Sequence, residues 1–194
     1  GLTSTEGDGG EALSTAARRL SDEGAIGLTF GPPGAGKTAF VIDAAQMWRA
    51  RTGGKIVTNI EGWSAADHHA TSSAEVLAYM GSVQGPVLAV LDEVREALEA
   101  DNRKQAEQFA EALRLIRKQA DGDTYPKQGS VFMVAHTQNG TAPGIRRLAS
   151  FGFRKPRRDD PGHVELLDSV GGVDEWEVVQ SFNGVTDTAE DFES

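Results

Sequence analysis

Cysteine is absent from the chain, which excludes disulfides and any thiolate-ligated metal. No apolar run reaches the roughly 18 residues that a membrane-spanning helix needs. The first residues, GLTSTEGDGGE, are polar and acidic, unlike the basic and then apolar start of a secretory signal. Neither a membrane span nor a signal peptide is therefore expected, and the absence of cysteine says little about compartment. Lysine is also scarce, with six residues against thirteen arginines. Together these 19 bases face 29 carboxylates, a net charge of −10. That balance suits a high-salt cytoplasm, where a heavily charged surface stays soluble, so a halophilic source is expected. An ordinary acidic protein from a GC-rich genome is the alternative. Net acidity argues against nucleic acid binding over the whole surface, but it leaves room for a local basic track.

What is present is the composition of an α/β protein. The chain has 194 residues, 39% of them hydrophobic, enough for one domain with a sizeable core. One domain spanning 1–194 is expected, with flexible tails at 1–10 and 187–194, and no internal repeat is visible. EALSTAARRLSDEG reads as a short helix, and 25–30 as a strand. A helix over 37–51, a strand within 53–62 and a helix over 71–82 capped by Ser72 or Ser73 follow. GPVLAVLDE (85–93) and SVFMVAHTQ (130–138) are continuous apolar runs, as strands buried on both faces require. Residues 106–120 form an amphipathic helical pattern, 121–129 a loop, 142–149 a short helix and 150–156 a strand. HVELLDS and EWEVVQSF pair as a late hairpin through VGGVD. Alternating strands and helices predict a three-layer α/β fold with a mostly parallel central sheet and a C-terminal β-hairpin.

The chemistry starts at GPPGAGKT, residues 31–38. Gly31, four residues, then Gly36-Lys37-Thr38 is the spacing of a phosphate-binding P-loop, here between a strand and a helix. The candidate nucleotide-binding set is Gly31, Pro32, Pro33, Gly34, Ala35, Gly36, Lys37, Thr38 and Ala39. Glycines let the backbone fold into a nest of N–H groups, and the following helix aims its positive end at the same phosphates. Lys37 is placed to neutralise the β- and γ-phosphates, and Thr38 to ligate Mg²⁺. ATP and Mg²⁺ are thus the expected substrate and cofactor. The second apolar run ends in Asp92-Glu93. Asp92 at a strand tip can hold the Mg²⁺ shell, and Glu93 can activate a water for attack on the γ-phosphate. The run ending AHTQNG offers Gln138 as a γ-phosphate sensor, with His136 and Thr137 as weaker candidates.

Six basic residues, Arg146, Arg147, Arg154, Lys155, Arg157 and Arg158, fall within 13 positions of this acidic chain. One can be an arginine finger reaching a neighbour's nucleotide. The group at 154–158, with Lys127 in the loop 121–129, can track a phosphate backbone; a solvated face pairing with Asp159-Asp160 is the plainer reading. His68-His69 reads as a surface turn rather than a metal site, and Trp48, Trp63 and Trp176 as core.

FGPPGAGKT, KIVTNIEG, VLAVLDEV and VFMVAHTQNGTAPGIRRLASFGFRK, over residues 30–155, resemble the FtsK/HerA superfamily of P-loop ATPases. The chain looks most like the genome-packaging ATPases of membrane-containing viruses and the Zot-like proteins of filamentous phages. The resemblance implies a strand order with the fourth strand between the P-loop strand and the Asp-Glu strand. It implies a ring, usually a hexamer, that translocates double-stranded DNA, with capsid vertex proteins as possible partners and the host cytoplasm or the virion packaging vertex as location. Gln138 matches the family's strand-end glutamine, which with Glu93, Lys37 and Arg147 completes the expected catalytic set. The finger falls among Arg146, Arg147 and Arg154. The chain departs from the family in its acidity and in having no extra domain, so its DNA contacts would come from loops. A protein-remodelling AAA-type ATPase or a Zot-like morphogenesis factor is the alternative. A small-molecule kinase is disfavoured: no arginine-rich lid is recognisable, and Glu93 suits water activation.

Overall fold

The apolar runs become the central strands of one sheet. In the computed structural model, residues 5–22, 24–92, 111, 114, 129–135, 147–169 and 176–184 are described. Among them are β1 (Thr5–Asp8), α1 (Gly9–Leu20), β2 (Ile26–Phe30), α2 (Lys37–Thr52), β3 (Lys55–Thr58), β4 (His68–His69) and α3 (Ser73–Ser82). The strands β5 (Val87–Asp92), β6 (Gly129–Val134), β7 (Phe151–Arg154), β8 (Val164–Ser169) and β9 (Trp176–Asn183) follow. The sheet runs in the order β1-β9-β8-β7-β2-β6-β5-β3-β4. It is parallel except where β8 pairs antiparallel with β7 and β9, the expected C-terminal hairpin. β6 lies between β2 and β5, the order that the family resemblance implied.

Burial on both faces explains why these strands do not alternate polar and apolar residues. On one face Ile56, Leu88, Val90, Phe132 and Val134 pack with Ala16 and Leu20 of α1 and Phe40, Ala44 and Trp48 of α2. On the other, Val57, Val87, Ala89, Leu91 and Met133 pack with Val76 and Met80 of α3. The caps follow local chemistry: Asp8 accepts the Glu11 amide at 2.9 Å to start α1, and Ser72 accepts that of Glu75 at 3.2 Å to start α3. Trp63 and Trp48 are buried, as expected of core residues, while Trp176 is half-buried and meets Phe30 edge to face with centroids 6.4 Å apart.

Three local expectations change. The lead expected to stay flexible through residue 10 enters the sheet at Thr5, because the outer edge of β9 offers parallel backbone partners from Gln180 to Asn183. His68-His69 is an edge strand rather than a turn. The flanking amides of Asp67 and Ala70 bond the Ile56 and Thr58 carbonyls, and His68 stacks on Tyr79 with centroids 4.7 Å apart. Arg147-Leu148 is a turn leading into β7, while 142–146 lie outside the described residues. So does all of the expected 106–120 helix except Glu111 and Arg114, which are helical.

The β3 register depends on close approach at its entry. A Cβ on Gly54 would lie 2.5 Å from the Pro86 carbonyl oxygen and against the Trp48 ring. That oxygen accepts the Lys55 amide at 3.0 Å, so it cannot retreat without breaking the first rung between β3 and β5. Gly54→Ala should cost about 1–3 kcal/mol, a fall in Tm of roughly 2–12 °C for a chain of this size. Gly85→Ala, which meets nothing within 4 Å, is the control, and thermal melts of the two should separate clearly.

Candidate functional site

Because β2, β5, β3 and β7 are parallel, their C-terminal ends share one edge of the sheet, where α/β proteins bind ligands. The loop after β2 runs from Gly31 into α2, whose first residue is Lys37. Gly36 caps the helix in the left-handed region, with φ of 84°, and its carbonyl accepts the Phe40 amide at 3.1 Å. Gly34 shares that conformation with φ of 83°. Alternation of this kind turns successive N–H groups toward one concavity, a nest for an anion. Along the loop Ala35 is buried, Pro32, Gly36, Thr38 and Ala39 are half-buried, and Pro33 and Gly34 are exposed.

Lys37 is buried, and its ammonium donates to the Gly31 carbonyl at 2.6 Å. Burial lowers its pKa from the ordinary 10.5, and the Asp92 carboxylate raises it in part. The cation therefore sits across the mouth of the loop within the field of Asp92, a carboxylate brought from a strand two places along the sheet. A desolvated ammonium, a helix N-terminus and an amide nest together fit a polyphosphate, and the Thr38 hydroxyl with Asp92 fits a hard divalent cation.

Asn59, just beyond β3, holds Asp92 by its backbone. Its side-chain oxygen accepts the Asp92 amide at 2.7 Å, and its nitrogen donates to the Asp92 carbonyl at 3.1 Å. Asn59 lies within KIVTNIEG, where the sequence assigns it no role; the bidentate lock needs β3 beside β5, which spacing does not show. Thr58 adds a bond to the Val90 carbonyl at 2.7 Å.

The structure brings Lys37, Thr38 and Asp92 to one edge. Glu93, Gln138, His136, Thr137, Arg146 and Lys127 lie outside the described residues. Arg147 is exposed in the turn before β7. Arg154 is engaged elsewhere: it pairs with Glu165 at 2.8 Å across the β7–β8 ladder, which weakens its candidacy as a finger. A further neighbour of the loop was missed in the sequence. Lys155, only 2% exposed, presses its carbonyl against Gly31 and its side chain against Gly36.

Two substitutions probe this geometry. Lys37→Met keeps the apolar stem and removes a desolvated charge, so the fold should melt near the wild-type temperature while ATP affinity, read by calorimetry, is lost. For Lys37 itself, between its lowered folded pKa and 10.5 the unfolded chain holds more protons. Stability should therefore rise with pH through that window, and Lys37→Met should remove the rise. Asn59→Ala leaves the Asp92 amide without its partner and should cost about 1–3 kcal/mol, with slower ATP turnover.

The sequence profile of the ATPase family associated with various cellular activities (AAA) matches residues 28–153. No curated protein sequence matches the chain. Among solved structures, the cytoplasmic domain of the type VII secretion ATPase EccC of Thermomonospora curvata shares 14% identity at a TM-score of 0.51, over 84% of this chain and 24% of that one. PCH-2 of C. elegans shares 16% at 0.50, over 74% of this chain and 41% of that one. The N-terminal domain of zonular occludens toxin from Neisseria meningitidis shares 15% at 0.49, over 88% and 98%. For EccC and PCH-2 the likeness at these identities is one of fold. The chain spans 24–41% of the length of the longer ATPases it matches. The profile runs from β2 through the phosphate loop to β7, which is most of the chain and includes Lys37, Thr38, Asn59 and Asp92, and the chain therefore belongs to the AAA family of ATPases.

Proposed function

We propose that the chain is a Mg²⁺-dependent ATPase that works as a homo-oligomeric ring, a hexamer, and moves double-stranded DNA in the manner of the packaging ATPases its motifs resemble. The observation that carries the ATPase reading is the buried Lys37 ammonium on the Gly31 carbonyl, with Asp92 close enough to bias its protonation. In this reading the loop amides and Lys37 bind and orient the β- and γ-phosphates. Thr38 and Asp92 hold Mg²⁺, which when bound neutralises charge on the phosphate oxygens. Glu93, the residue after Asp92, takes a proton from the attacking water, and Asn59 fixes the strand end from which Glu93 extends. β6 lies between the strands that carry the two motifs, and Gln138, four positions further along the sequence, is the proposed sensor of the γ-phosphate. Arg147, exposed in the turn before β7, is the finger candidate that this reading keeps.

The DNA reading is supported by charge placement. Arg157 and Arg158 are exposed just past the C-terminal end of β7, on the edge that carries the site, in a chain of net charge −10. A local basic turn on an acidic protein suits backbone contact without base readout. Screening in a high-salt host would have to be offset by several subunits acting on one duplex.

Glu93→Gln should bind ATP and lose at least about 10²-fold in turnover, the range of a general base. Duplex DNA should stimulate the wild-type ATPase, independently of sequence. Absence of stimulation in an assembled oligomer would sink the DNA reading in favour of a protein substrate. Normal turnover in Glu93→Gln would place the base elsewhere, with Glu61 next.

A further inference from the structure

The connection between β7 and β8, residues 155–163, meets the phosphate loop at Lys155, Arg158 and Pro161. The Lys155 carbonyl occupies the place where Gly31 would carry a Cβ. A Cβ on Gly36 would meet the Lys155 side chain at 3.5 Å and the Pro161 ring at 3.8 Å. The Lys155 ammonium closes the connection on itself by donating to the Pro161 carbonyl, and it lies 5.6 Å from the centre of the Phe40 ring in α2. The Lys155 amide bonds the Phe30 carbonyl at 2.9 Å, which ties the start of the connection to the strand that precedes the loop. Between these anchors, Arg158 stands at the loop tip. A Cβ on Gly34 would lie 3.4 Å from its Nε and 3.8 Å from one Nη.

From this arrangement we infer that Arg158 is a nucleotide-contacting residue of its own subunit, a second cation that binds the polyphosphate at the loop tip, held there by the Lys155–Pro161 closure. The inference rests on the ATP-binding reading and adds a nucleotide contact to the DNA-backbone contact proposed for the Arg157-Arg158 turn. Three facts support it. Arg158 is exposed, and no ion pair or hydrogen bond engages it among the described residues, whereas Arg154 and Arg19 are each bound to a carboxylate. Its neighbours Asp159 and Asp160 are exposed and do not pair with it. The contact is made with Gly34, an exposed residue of the amide nest, so a planar guanidinium with five donors stands beside the oxygens that the nest would hold. The Lys37 ammonium meets the same loop at Gly31, so the two cations meet it at different residues, Gly31 and Gly34.

The test is calorimetric affinity for ATP, ADP and AMP, measured on the whole chain at concentrations below assembly. Five proteins are compared: wild type, Arg158→Ala, Arg158→Lys, Lys37→Ala and Arg51→Ala. Arg51 is exposed at the far end of α2, about 20 Å along a 16-residue helix, and its loss controls for net charge. Arg158→Ala should weaken ATP and ADP on the order of 10-fold, the range for a charge-assisted hydrogen bond, and AMP much less. Arg158→Lys should recover part of the loss. Arg51→Ala should match wild type. In steady-state hydrolysis the Arg158→Ala defect should appear in KM more than in kcat. Affinities within twofold of wild type would overturn the inference. So would a loss equalled by Arg51→Ala, or one that appears only in the oligomer, which marks action across a subunit boundary. If wild type binds no ATP, or Lys37→Ala binds it normally, the ATP-binding reading itself has failed and the inference falls with it.

Discussion

A single carbonyl oxygen, that of Lys155, fills the space where any residue but glycine at position 31 would carry its Cβ. This contact sets how closely β7 and its exit approach the phosphate loop, and much of the site follows from it. Gly31 can accept the Lys37 ammonium with the other side of its peptide because the loop is held from behind. The same close approach brings the Lys155 side chain beside Gly36 and Arg158 beside Gly34. A loop of three glycines in the left-handed half of φ would otherwise be costly to order, since glycine loses more backbone freedom than any other residue. Packing against the buried Lys155, itself bonded to Pro161, supplies that order before any ligand arrives, which favours tight phosphate binding.

The electrostatics are arranged around one desolvated cation. Lys37 is buried at the start of α2, where the helix N-terminus already disfavours positive charge. Burial lowers its pKa, and the opposing carboxylate of Asp92 only partly compensates. An anionic ligand at the loop would relieve both penalties at once, so this corner of an acidic protein is predisposed to bind anions. Asn59 matters in this balance because the Asp92 carboxylate acts only from a defined strand end, and its two backbone bonds provide that definition. The Arg19–Asp168 pair at 2.7 Å, with the Arg19 guanidinium 4.8 Å from the centre of the Phe151 ring, ties α1 to the hairpin.

Much of this was legible in the chain. The central strands, the helix after the loop, the nucleotide loop and the hairpin were readable because each depends on local pattern: glycine spacing and continuous apolar runs, with a capping serine marking the helix at 73–82. The position of β6 between β2 and β5 came only through the family resemblance, since parallel strand order leaves no local mark. The edges were misread for a related reason. Thr5–Asp8 and His68–His69 carry no strand pattern of their own and become strands because β9 and β3 present unpaired backbone to them. The basic segment after β7 was visible as a cluster of charge, but its members separate only in space. Arg154 is spent on Glu165, Lys155 is buried under the loop, and Arg158 stands at the loop tip.

By itself, then, the sequence determined that this is an α/β protein with a phosphate loop at the end of its first core strand and a carboxylate at the end of another. Those features are local, and their residue types and spacing have few other physical uses. Only the tertiary structure decided which groups surround the loop. Asn59 reaches Asp92 across 33 positions of sequence, and Lys155 meets Gly31 across more than a hundred. Contacts of that range are set by strand order and close packing, and nothing in the neighbouring residues records them.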